Sequence, residues 1–598
     1  MELQHKPRLG ILALMLEGYE PLFPGIMASQ HKYVEEVIAS LSGTADFVFP
    51  RIAASREAIE ALTAQYNAEG LDGILILMLS YSQGQYLVHA MQRNTLPLAL
   101  ALVQPDETVG DDFEEWELTV NQGIHGSQDN ANCLMRAGIP CAFFAGSRKN
   151  GELAAFAADF GAAAHTACAL RRMKIGIIGK LAGMGDVITD DMAVYRKLGP
   201  EFVYDSIGAV QRACAGVTPE DISARVAYEH TVFEIDPKLP PERHAESVRM
   251  YLGLKRYLEE NGYAGYTVHF EEFGADGRFE HLPFLAASSL MADGYGYAAE
   301  GDATAAMLMA AMLRLCGQAG FSEMYMMDFA REAILLCHAG EGNWAMCRRD
   351  KKPFLMDRVF NEGGLSNPPT PIFTPEPGPA GVMSLVHVGG ERFRLVYAPG
   401  EILDECSLRK IDMPYMFFRP ASGVRACIKA WLEQGGTHHE IIVPGDYAAR
   451  VRLLCRLLGA LLAPGFLIAH LFQLFAQGGS FPPQHLILCF DLIFRQLCAG
   501  SIRNVILDLA AHILSTAGAL AVFVQIIHGA EHRRLSHRKI RIIVQKLGDV
   551  FIQLFRQRQN IFFRVRRSNG IRRTCNVHPY LVDHICFPFL SFSARSGQ

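Results

Sequence analysis

The segment RLGILALML at residues 8–16 is the first of four short apolar runs that decide the fold of the N-terminal part of the chain. The others are DGILILML (72–79), LPLALALV (96–103) and IPCAFFAG (139–146). Helix-like patterns such as HKYVEEVIASL and SREAIEALTAQYNAEG lie between these runs, and the second of them closes on a glycine. Continuous apolar strands separated by helices predict a parallel sheet covered on both faces, over residues 1–170.

A second α/β unit is predicted for residues 171–319. It begins after the basic pair Arg171-Arg172 with the strand KIGIIGK (174–180) and continues to GYTVHFEEF (265–273). The segment KIGIIGKLAGMG has scattered glycines but no GxGxxG motif, so no dinucleotide is expected there.

The pattern of the sequence changes from about residue 320. Shorter strands such as GVMSLVHVG, RFRLVYA and HEIIVP are separated by turns rich in Pro and Gly, notably NPPTPIFTPEPGPAG (367–381). This pattern is typical of an antiparallel barrel-like or sandwich domain, here over residues 320–460. The predicted fold is therefore α/β: two consecutive Rossmann-like parallel domains followed by an antiparallel β-barrel-like domain.

Charge divides the chain near residue 460. The formal net charge of the 598 residues is −6, which gives no reason to expect a nucleic-acid partner. Residues 461–598 hold 16 Lys and Arg against 5 Asp and Glu, whereas the preceding residues carry an excess of acid. The uncharged stretch 509–530 is long enough to span a bilayer, for which about 20 apolar residues are needed. We interpret 461–598 as an anomalous basic, apolar tail, which out-of-frame translation explains better than a membrane-associated appendage.

The cellular compartment is indicated by the cysteines and by the N-terminus. The 14 cysteines form no CxxC pair and no zinc-type spacing, which is typical of free thiols in a reducing compartment. The N-terminal segment MELQHKPRLGILALMLEG has no long apolar core followed by a small-residue cleavage site, so no secretory signal is expected. We expect a cytoplasmic protein, with membrane contact only through the tail.

Glu300 is the first candidate site residue. It lies in GYGYAAEGD, which leads to Asp302 and then to the apolar helix ATAAMLMAAMLRLCG. Asp302 is predicted to cap that helix. Glu300 would then lie at the mouth of a helix in an α/β unit, where such folds place their ligand crevices. The alternative is a carboxylate that is only stabilised by the helix dipole.

Three further positions carry metal-ligating or acid–base side chains. Glu323 lies in GFSEMYMMDF, where a buried carboxylate is costly unless it is paired or bound to a metal, and the alternative is a half-exposed loop acid. His338 follows the apolar run AILLC, and the alternative there is a hydrogen-bonded core histidine. The pair His438-His439 begins the strand HEIIVP, and alternation predicts that only one of the two rings can point into a site.

Taken in order, these residues resemble L-arabinose isomerase. The resemblance rests on GYGYAAEGD (294–302), Ser-Glu-X-Tyr with a Phe six residues past the Glu, an apolar run into His338, and GGTHH (435–439). It extends to VNQGIHG (120–126) and GPAGVMSLVHVGGERFRLVYAPGEI, and covers about residues 1–460. By this resemblance the metal ligands are Glu300, Glu323, His338 and His439, and the sugar pocket is lined by Gln122, His125, Met184 and Phe270.

The resemblance also implies a homo-oligomer in which the 120–126 segment reaches the pocket of the neighbouring subunit. The segments AGEGNWAMCRRDKKPF after His338 and NEGGLSNPPT (361–370) differ from the better-known arabinose isomerases. The expected substrate is therefore L-arabinose or a related pentose or hexose.

The chemistry of aldose–ketose isomerisation calls for this set of residues. Moving a proton between C2 and C1 of an open-chain sugar requires a cation that stabilises the developing ene-diolate. Mixed carboxylate and imidazole ligation suits Mn²⁺, with Mg²⁺ or Co²⁺ as alternatives, and Glu300 and Glu323 are the expected acid and base. The alternatives are a non-catalytic sugar-binding or regulatory protein and a membrane-attached carbohydrate protein anchored by the tail.

Overall fold

The computed structural model describes residues 6–274, 276–360 and 364–462. The first parallel sheet has the strand order β2-β1-β3-β4-β5. Its elements are β1 (Arg8–Leu14), α1 (Tyr19–Leu22), α2 (Ile26–Ser40), β2 (Asp46–Val48), α3 (Arg56–Ala68), β3 (Gly73–Met78), α4 (Gly84–Met91), β4 (Leu98–Leu102), α5 (Glu115–Asn121), α6 (Gly123–Arg136), β5 (Ala142–Ala145) and α7 (Glu152–Leu170). The central strand β3 is buried along its whole length, as expected for a sheet covered on both faces.

The second parallel sheet has the order β10-β9-β6-β7. Its region comprises β6 (Lys174–Ile178), α8 (Asp191–Lys197), β7 (Glu201–Asp205), α9 (Ile207–Ala215), α10 (Pro219–Val232), β8 (Glu234–Ile235), α11 (Pro241–Asn261), β9 (Gly265–Val268), α12 (Phe284–Ala292), β10 (Gly296–Ala299) and α13 (Ala303–Cys316). Within the segment 265–273 only β9 is a strand, because the chain turns into a 3₁₀ helix at Phe270–Phe273.

The third region is a closed antiparallel barrel of six strands in the order β15-β18-β11-β12-β17-β16, sealed by pairing of β16 with β15. Its elements are β11 (Gly320–Asp328), β12 (Ala333–Cys337), β13 (Phe354–Asp357), β14 (Pro369–Ile372), β15 (Gly378–His387), β16 (Phe393–Ile402), β17 (Tyr415–Pro420), α14 (Val424–Gln434), β18 (His439–Pro444), α15 (Ala448–Leu458) and β19 (Leu461–Leu462). Strands β13 and β14 form a small sheet with β8. The predicted fold class is confirmed: two parallel α/β sheets followed by an antiparallel barrel.

Helix α7 packs within the protein rather than on its surface. It contacts α13 and α15, and Arg450 of α15 donates a hydrogen bond of 2.7 Å to Asp159 of α7. Among the described residues, α7 alone is long and apolar enough to cross a membrane by length and composition. Its burial between other elements is that of a core helix.

The end of the described chain adds a strand to the barrel. Leu461 and Leu462 pair in parallel with Arg394 and Leu395 of β16. The first two residues of the tail therefore extend the sheet of the barrel. The rest of the tail, from residue 463, lies outside the described residues, and so do both interpretations of it.

Candidate metal centre

Glu300 lies at the carboxyl end of the second parallel sheet, directly after β10. Its φ angle is 63°, a left-handed conformation that costs a non-glycine residue about 1–2 kcal/mol. Two backbone hydrogen bonds hold it: Glu300 N donates to Val268 O at 2.8 Å, and Leu181 N donates to Glu300 O at 3.0 Å. The predicted cap is present, since Asp302 accepts a hydrogen bond from Ala305 N at 2.9 Å.

The barrel brings the other candidate ligands together through its strand register. Glu323 on β11 is the cross-strand partner of His439 on β18 and of Cys337 on β12. His338 follows Cys337 directly, so three adjacent strands deliver one acid and two imidazoles to one end of the barrel. Glu323 is thus a strand residue, with 18% of its side chain exposed, and the alternative of a loop acid is wrong.

Glu300, Glu323 and His439 come together between the second sheet and the barrel, and His338 contacts Glu323. His439 Nε2 lies 3.4 Å from Glu300 Oε2 and 3.4 Å from Glu323 Oε1, and His338 Nε2 lies 3.7 Å from Glu323 Oε1. Ligands bound at about 2.0–2.6 Å around one hard cation have comparable mutual separations. His439 Nε2 is buried and faces both carboxylate oxygens at 3.4 Å, an arrangement that a cation between these atoms would complete.

A fifth side chain joins this cluster. His438 Nε2 lies 3.8 Å from Glu323 Oε1, and ligand atoms of Glu300, Glu323, His438 and His439 all lie within 4.8 Å of one another. The expectation that only one ring of the histidine pair points into the site is therefore wrong. Strand β18 begins at His439, so His438 belongs to the preceding turn and does not follow strand alternation.

Each buried histidine of the cluster is held by a second carboxylate. Asp302 Oδ2 lies 3.0 Å from His439 Nδ1, and Glu341 Oε1 lies 3.0 Å from His338 Nδ1 and accepts a hydrogen bond of 2.7 Å from the Tyr297 hydroxyl. Such carboxylate–histidine pairs fix the ring orientation and direct Nε2 at a metal. Sequence reasoning assigned Asp302 only as a helix cap and missed Glu341, three residues after His338.

The electrostatics reflect this concentration of acids. Burial opposes charge on His439, yet Asp302, Glu300 and Glu323 together raise its pKa to about 11. The hydrogen bond from His439, opposed by burial, lowers the pKa of Glu300. Burial disfavours charge on His338 and Glu341, but their mutual attraction raises the pKa of His338 and lowers that of Glu341. In the metal-free protein, a proton on His439 partly neutralises the negative charge of the surrounding carboxylates. A bound cation would neutralise that charge instead.

Two of the four residues implied for the sugar pocket lie near the cluster. The Phe270 ring is 6.2 Å from the His338 ring and packs edge-on against Phe284. Met184 directly precedes a 3₁₀ turn whose Asp186 lies 2.7 Å from His438 Nδ1. Both are therefore placed at the boundary between the second sheet and the barrel.

Gln122 and His125 lie in the first α/β region instead. The 120–126 segment is a junction between α5 and α6 rather than a loop. A side chain at Gly123 or Gly126 would clash with β3 or the residues after it, since an added Cβ would meet Met78 O at 2.2 Å or Ser80 O at 2.5 Å. The glycines thus let α6 approach the carboxyl end of β3. Among the described residues, no hydrogen bond or ion pair links Gln122 or His125 to the cluster.

Comparison with known proteins points to one family. The family model of the L-arabinose isomerase central domain matches residues 185–318, and that of the C-terminal domain matches residues 318–460. L-arabinose isomerase of Clostridium beijerinckii is 26% identical over 450 residues, covering 71% of this chain and 90% of that protein. The enzyme of Arthrobacter sp. is 27% identical over 457 residues, covering 71% and 88%, and L-arabinose isomerase 1 of Bacillus licheniformis is 25% identical over 452, covering 71% and 90%.

These matches identify an aldose–ketose isomerase. The chain belongs to the L-arabinose isomerase family.

Proposed function

We propose that this protein interconverts L-arabinose, or a related pentose or hexose, and the corresponding ketose in a metal-dependent reaction through an ene-diol. The observation that carries the proposal is the clustering of Glu300, Glu323 and His439, whose buried Nε2 lies 3.4 Å from both carboxylates, with His338 Nε2 3.7 Å from Glu323 Oε1. Two carboxylates balance the charge of a divalent cation, and their mixture with imidazoles favours Mn²⁺, with Mg²⁺ or Co²⁺ as alternatives.

The residues present fit such a cation. Glu300, Glu323, His338 and His439 would hold it, while Asp302 and Glu341 keep the two rings aligned. When bound, the ion supplies electrostatic stabilisation of the negative charge that develops on the two sugar oxygens.

The chain's own part in the reaction is proton movement between C2 and C1. The carboxylates of Glu300 and Glu323 are 19% and 18% exposed, so a substrate can reach both of them. In the forward direction one carboxylate removes the C2 proton, while a proton is delivered to O1. In the second half the O2 proton is removed and a proton is delivered to C1. A pair of carboxylates on opposite sides of the reacting carbons can serve both halves.

We further propose that the site is completed by a second subunit. Gln122 lies just before α6 and His125 lies on it, and the neighbouring Ile124 is 49% exposed. An exposed apolar residue beside two polar side chains is suited to docking against another copy of the chain. A homo-oligomer would then supply the sugar contacts that the cluster lacks within one chain.

The experiment that tests the proposal is an assay of pentoses and hexoses after EDTA treatment, with and without added Mn²⁺. We expect isomerisation of at least one of these sugars, loss of activity in EDTA and its return with Mn²⁺. Sugar binding without turnover would support the non-catalytic alternative. Full activity in the EDTA-treated, metal-free protein would contradict the proposed mechanism.

A further inference from the structure

A polar cleft lies at the amino edge of the second sheet. It is lined by the residues that lead into β9 and β10, by α11 and by the last turn of α13. Its volume is about 370 Å³, which is enough for a small molecule. Glu300 directly follows β10 at the carboxyl edge of the same sheet, so the cleft and the candidate metal centre lie at opposite ends of β10.

Arg314 is the residue of this cleft whose charge lacks a partner. It is half-buried, and its guanidinium donates one hydrogen bond, of 3.3 Å, to Ala310 O within α13. In the part of the chain that the structure describes, no carboxylate lies within ion-pair distance of it. Burial therefore lowers the pKa of Arg314 without an opposing contribution from an acid. The dipole at the C-terminal end of α13 offsets only part of the cost of burying this charge.

The other charged side chains of the cleft do not neutralise Arg314. Lys255 Nζ lies 2.8 Å from Asp293 Oδ2, which also accepts a hydrogen bond of 2.7 Å from the Tyr251 hydroxyl, so this pair is balanced within itself. Glu259 is exposed one turn further along α11 and forms no ion pair with Arg314. One positive charge is thus left open to the cleft, and an anion would stabilise it.

Tyr295 supplies a second donor in the same cleft. Its side chain is half-buried directly before β10, and among the described residues its hydroxyl has no hydrogen-bond partner. Burial, followed by the nearby charge of Glu259, raises the pKa of Tyr295. The hydroxyl therefore keeps its proton at neutral pH and can donate it to a ligand.

We propose that this cleft binds a small oxyanion, the phosphate or carboxylate group of a low-molecular-weight ligand, with Arg314 as its main contact and Tyr295 as a second donor. Phosphate and carboxylate share the two features that the cleft selects, a negative charge and neighbouring oxygen acceptors. The planar guanidinium can donate to two such oxygens side by side. This site is separate from the proposed isomerase chemistry, because it lies at the other end of β10.

The test is calorimetric titration of the full-length protein, without added metal, with inorganic phosphate and with malonate. Ionic strength is held constant with sodium chloride, and a titration with chloride alone is the reference. The variants are Arg314→Ala, Arg314→Lys and Tyr295→Phe. Arg425→Ala is the matched control, since Arg425 is an exposed arginine of the barrel region that lies 3.2 Å from Glu332. Thermal unfolding and sedimentation show whether each variant is folded and assembled like the wild type.

We expect the wild-type protein to bind at least one of the two anions with a Kd in the millimolar range. Arg314→Ala should weaken that binding by about tenfold or more, because a charge-assisted hydrogen bond is lost. Arg314→Lys should retain part of the affinity, since an ammonium keeps the charge but cannot engage two oxygens side by side. Tyr295→Phe should weaken binding by about fivefold, the effect of a neutral hydrogen bond, and Arg425→Ala should bind like the wild type.

The two anions also separate the sources of the ligand group. Binding of phosphate alone supports a phosphate-bearing ligand, binding of malonate alone supports a carboxylate-bearing one, and binding of both supports a site for either group. If Arg314→Ala does not fold, Arg314→Lys and Tyr295→Phe decide the outcome.

Three results would overturn the inference. Titration heats of the wild type no larger than those with chloride would mean that the cleft binds neither anion. Equal affinities in wild type, the Arg314 variants and Tyr295→Phe would place the anion elsewhere on the protein. A smaller assembly of folded Arg314→Ala in sedimentation would assign the arginine to a contact between copies of the chain.

Discussion

Glu323 on β11 and His439 on β18 are cross-strand partners in the barrel, and His439 Nε2 lies 3.4 Å from Glu323 Oε1. The two residues are 116 positions apart in the sequence, and their contact depends on the register of the two antiparallel strands. A slip of one residue would turn every side chain of one strand to the opposite face and separate the pair. The closed barrel prevents such a slip because each strand is paired on both sides.

Replacing either proposed acid–base carboxylate should abolish turnover. We expect Glu300→Gln and Glu323→Gln to lower kcat by about 10³-fold or more, since an amide keeps the shape but cannot accept and return a proton. The measurement is kcat at saturating Mn²⁺, with thermal unfolding as the check on folding. Glu332→Gln is the control, because Glu332 is an exposed partner of Arg425. Activity within tenfold of wild type in either site variant would defeat the assigned roles.

Glu341 should control metal affinity through His338. In Glu341→Gln the group facing His338 Nδ1 loses its charge, and loss of such an outer carboxylate weakens metal binding by about 10–100-fold. Tyr297→Phe removes only the hydrogen bond to Glu341 and should have a smaller effect. The measurement is the Kd for Mn²⁺ by electron paramagnetic resonance. An unchanged Kd in Glu341→Gln would mean that the pair is only structural.

Mn²⁺ binding should release about one proton at neutral pH. The pKa of His439 is about 11 in the metal-free protein, so the ring is protonated there, while a metal ligand must be neutral. Since the proton must leave, Mn²⁺ binding strengthens as pH rises toward that pKa. Titration calorimetry in buffers of different ionisation enthalpy measures the release. Asp302→Asn, which retains a helix cap but not the charge, should release less.

A further expectation concerns the subunits. If His125 of one copy completes the site of another, mixing two inactive proteins can restore activity. We expect His125→Ala and Glu300→Gln proteins to be inactive separately and active after joint refolding, because some sites then combine an intact His125 with an intact Glu300. Sedimentation gives the oligomeric state. An active monomer, or no recovery in verified mixed oligomers, would contradict the shared site.

Removal of the tail should leave the enzyme intact if the cut follows β19. We expect residues 1–462 to be at least as active as the full chain, and residues 1–460 to unfold at a lower temperature. The shorter chain loses the pairing of Leu461 and Leu462 with β16 and exposes a strand edge. Activity and Tm of the three lengths are compared. Loss of activity in 1–462 that the full chain demonstrably has would identify the tail as a functional domain.

Much of the fold was predictable because its signals are local. The apolar runs of the first sheet gave strands within a few residues of those observed, and Asp302 was recognised as a cap from its place before an apolar helix. The change to short strands and Pro-rich turns marked the barrel. The apolar pattern does not reveal where the chain leaves β9 and enters a 3₁₀ helix at Phe270.

Less of the site than of the fold could be predicted from the sequence. The ordered motifs around Glu300, Glu323, His338 and His439 identified candidates, and the resemblance named their roles. The sequence by itself determined which residue types are available and on which elements they lie. It also separated the acidic body from the basic tail.

Only the tertiary structure decided which of these groups meet. Hydrogen-bond register and barrel closure place His439 opposite Glu323, and contacts between the second sheet and the barrel bring in Glu300. The turn before β18 directs His438 into the site against the alternation rule, and Asp186 meets it from 252 positions away. Such contacts depend on distances through space between residues far apart in the chain, and no local pattern of side chains encodes those distances.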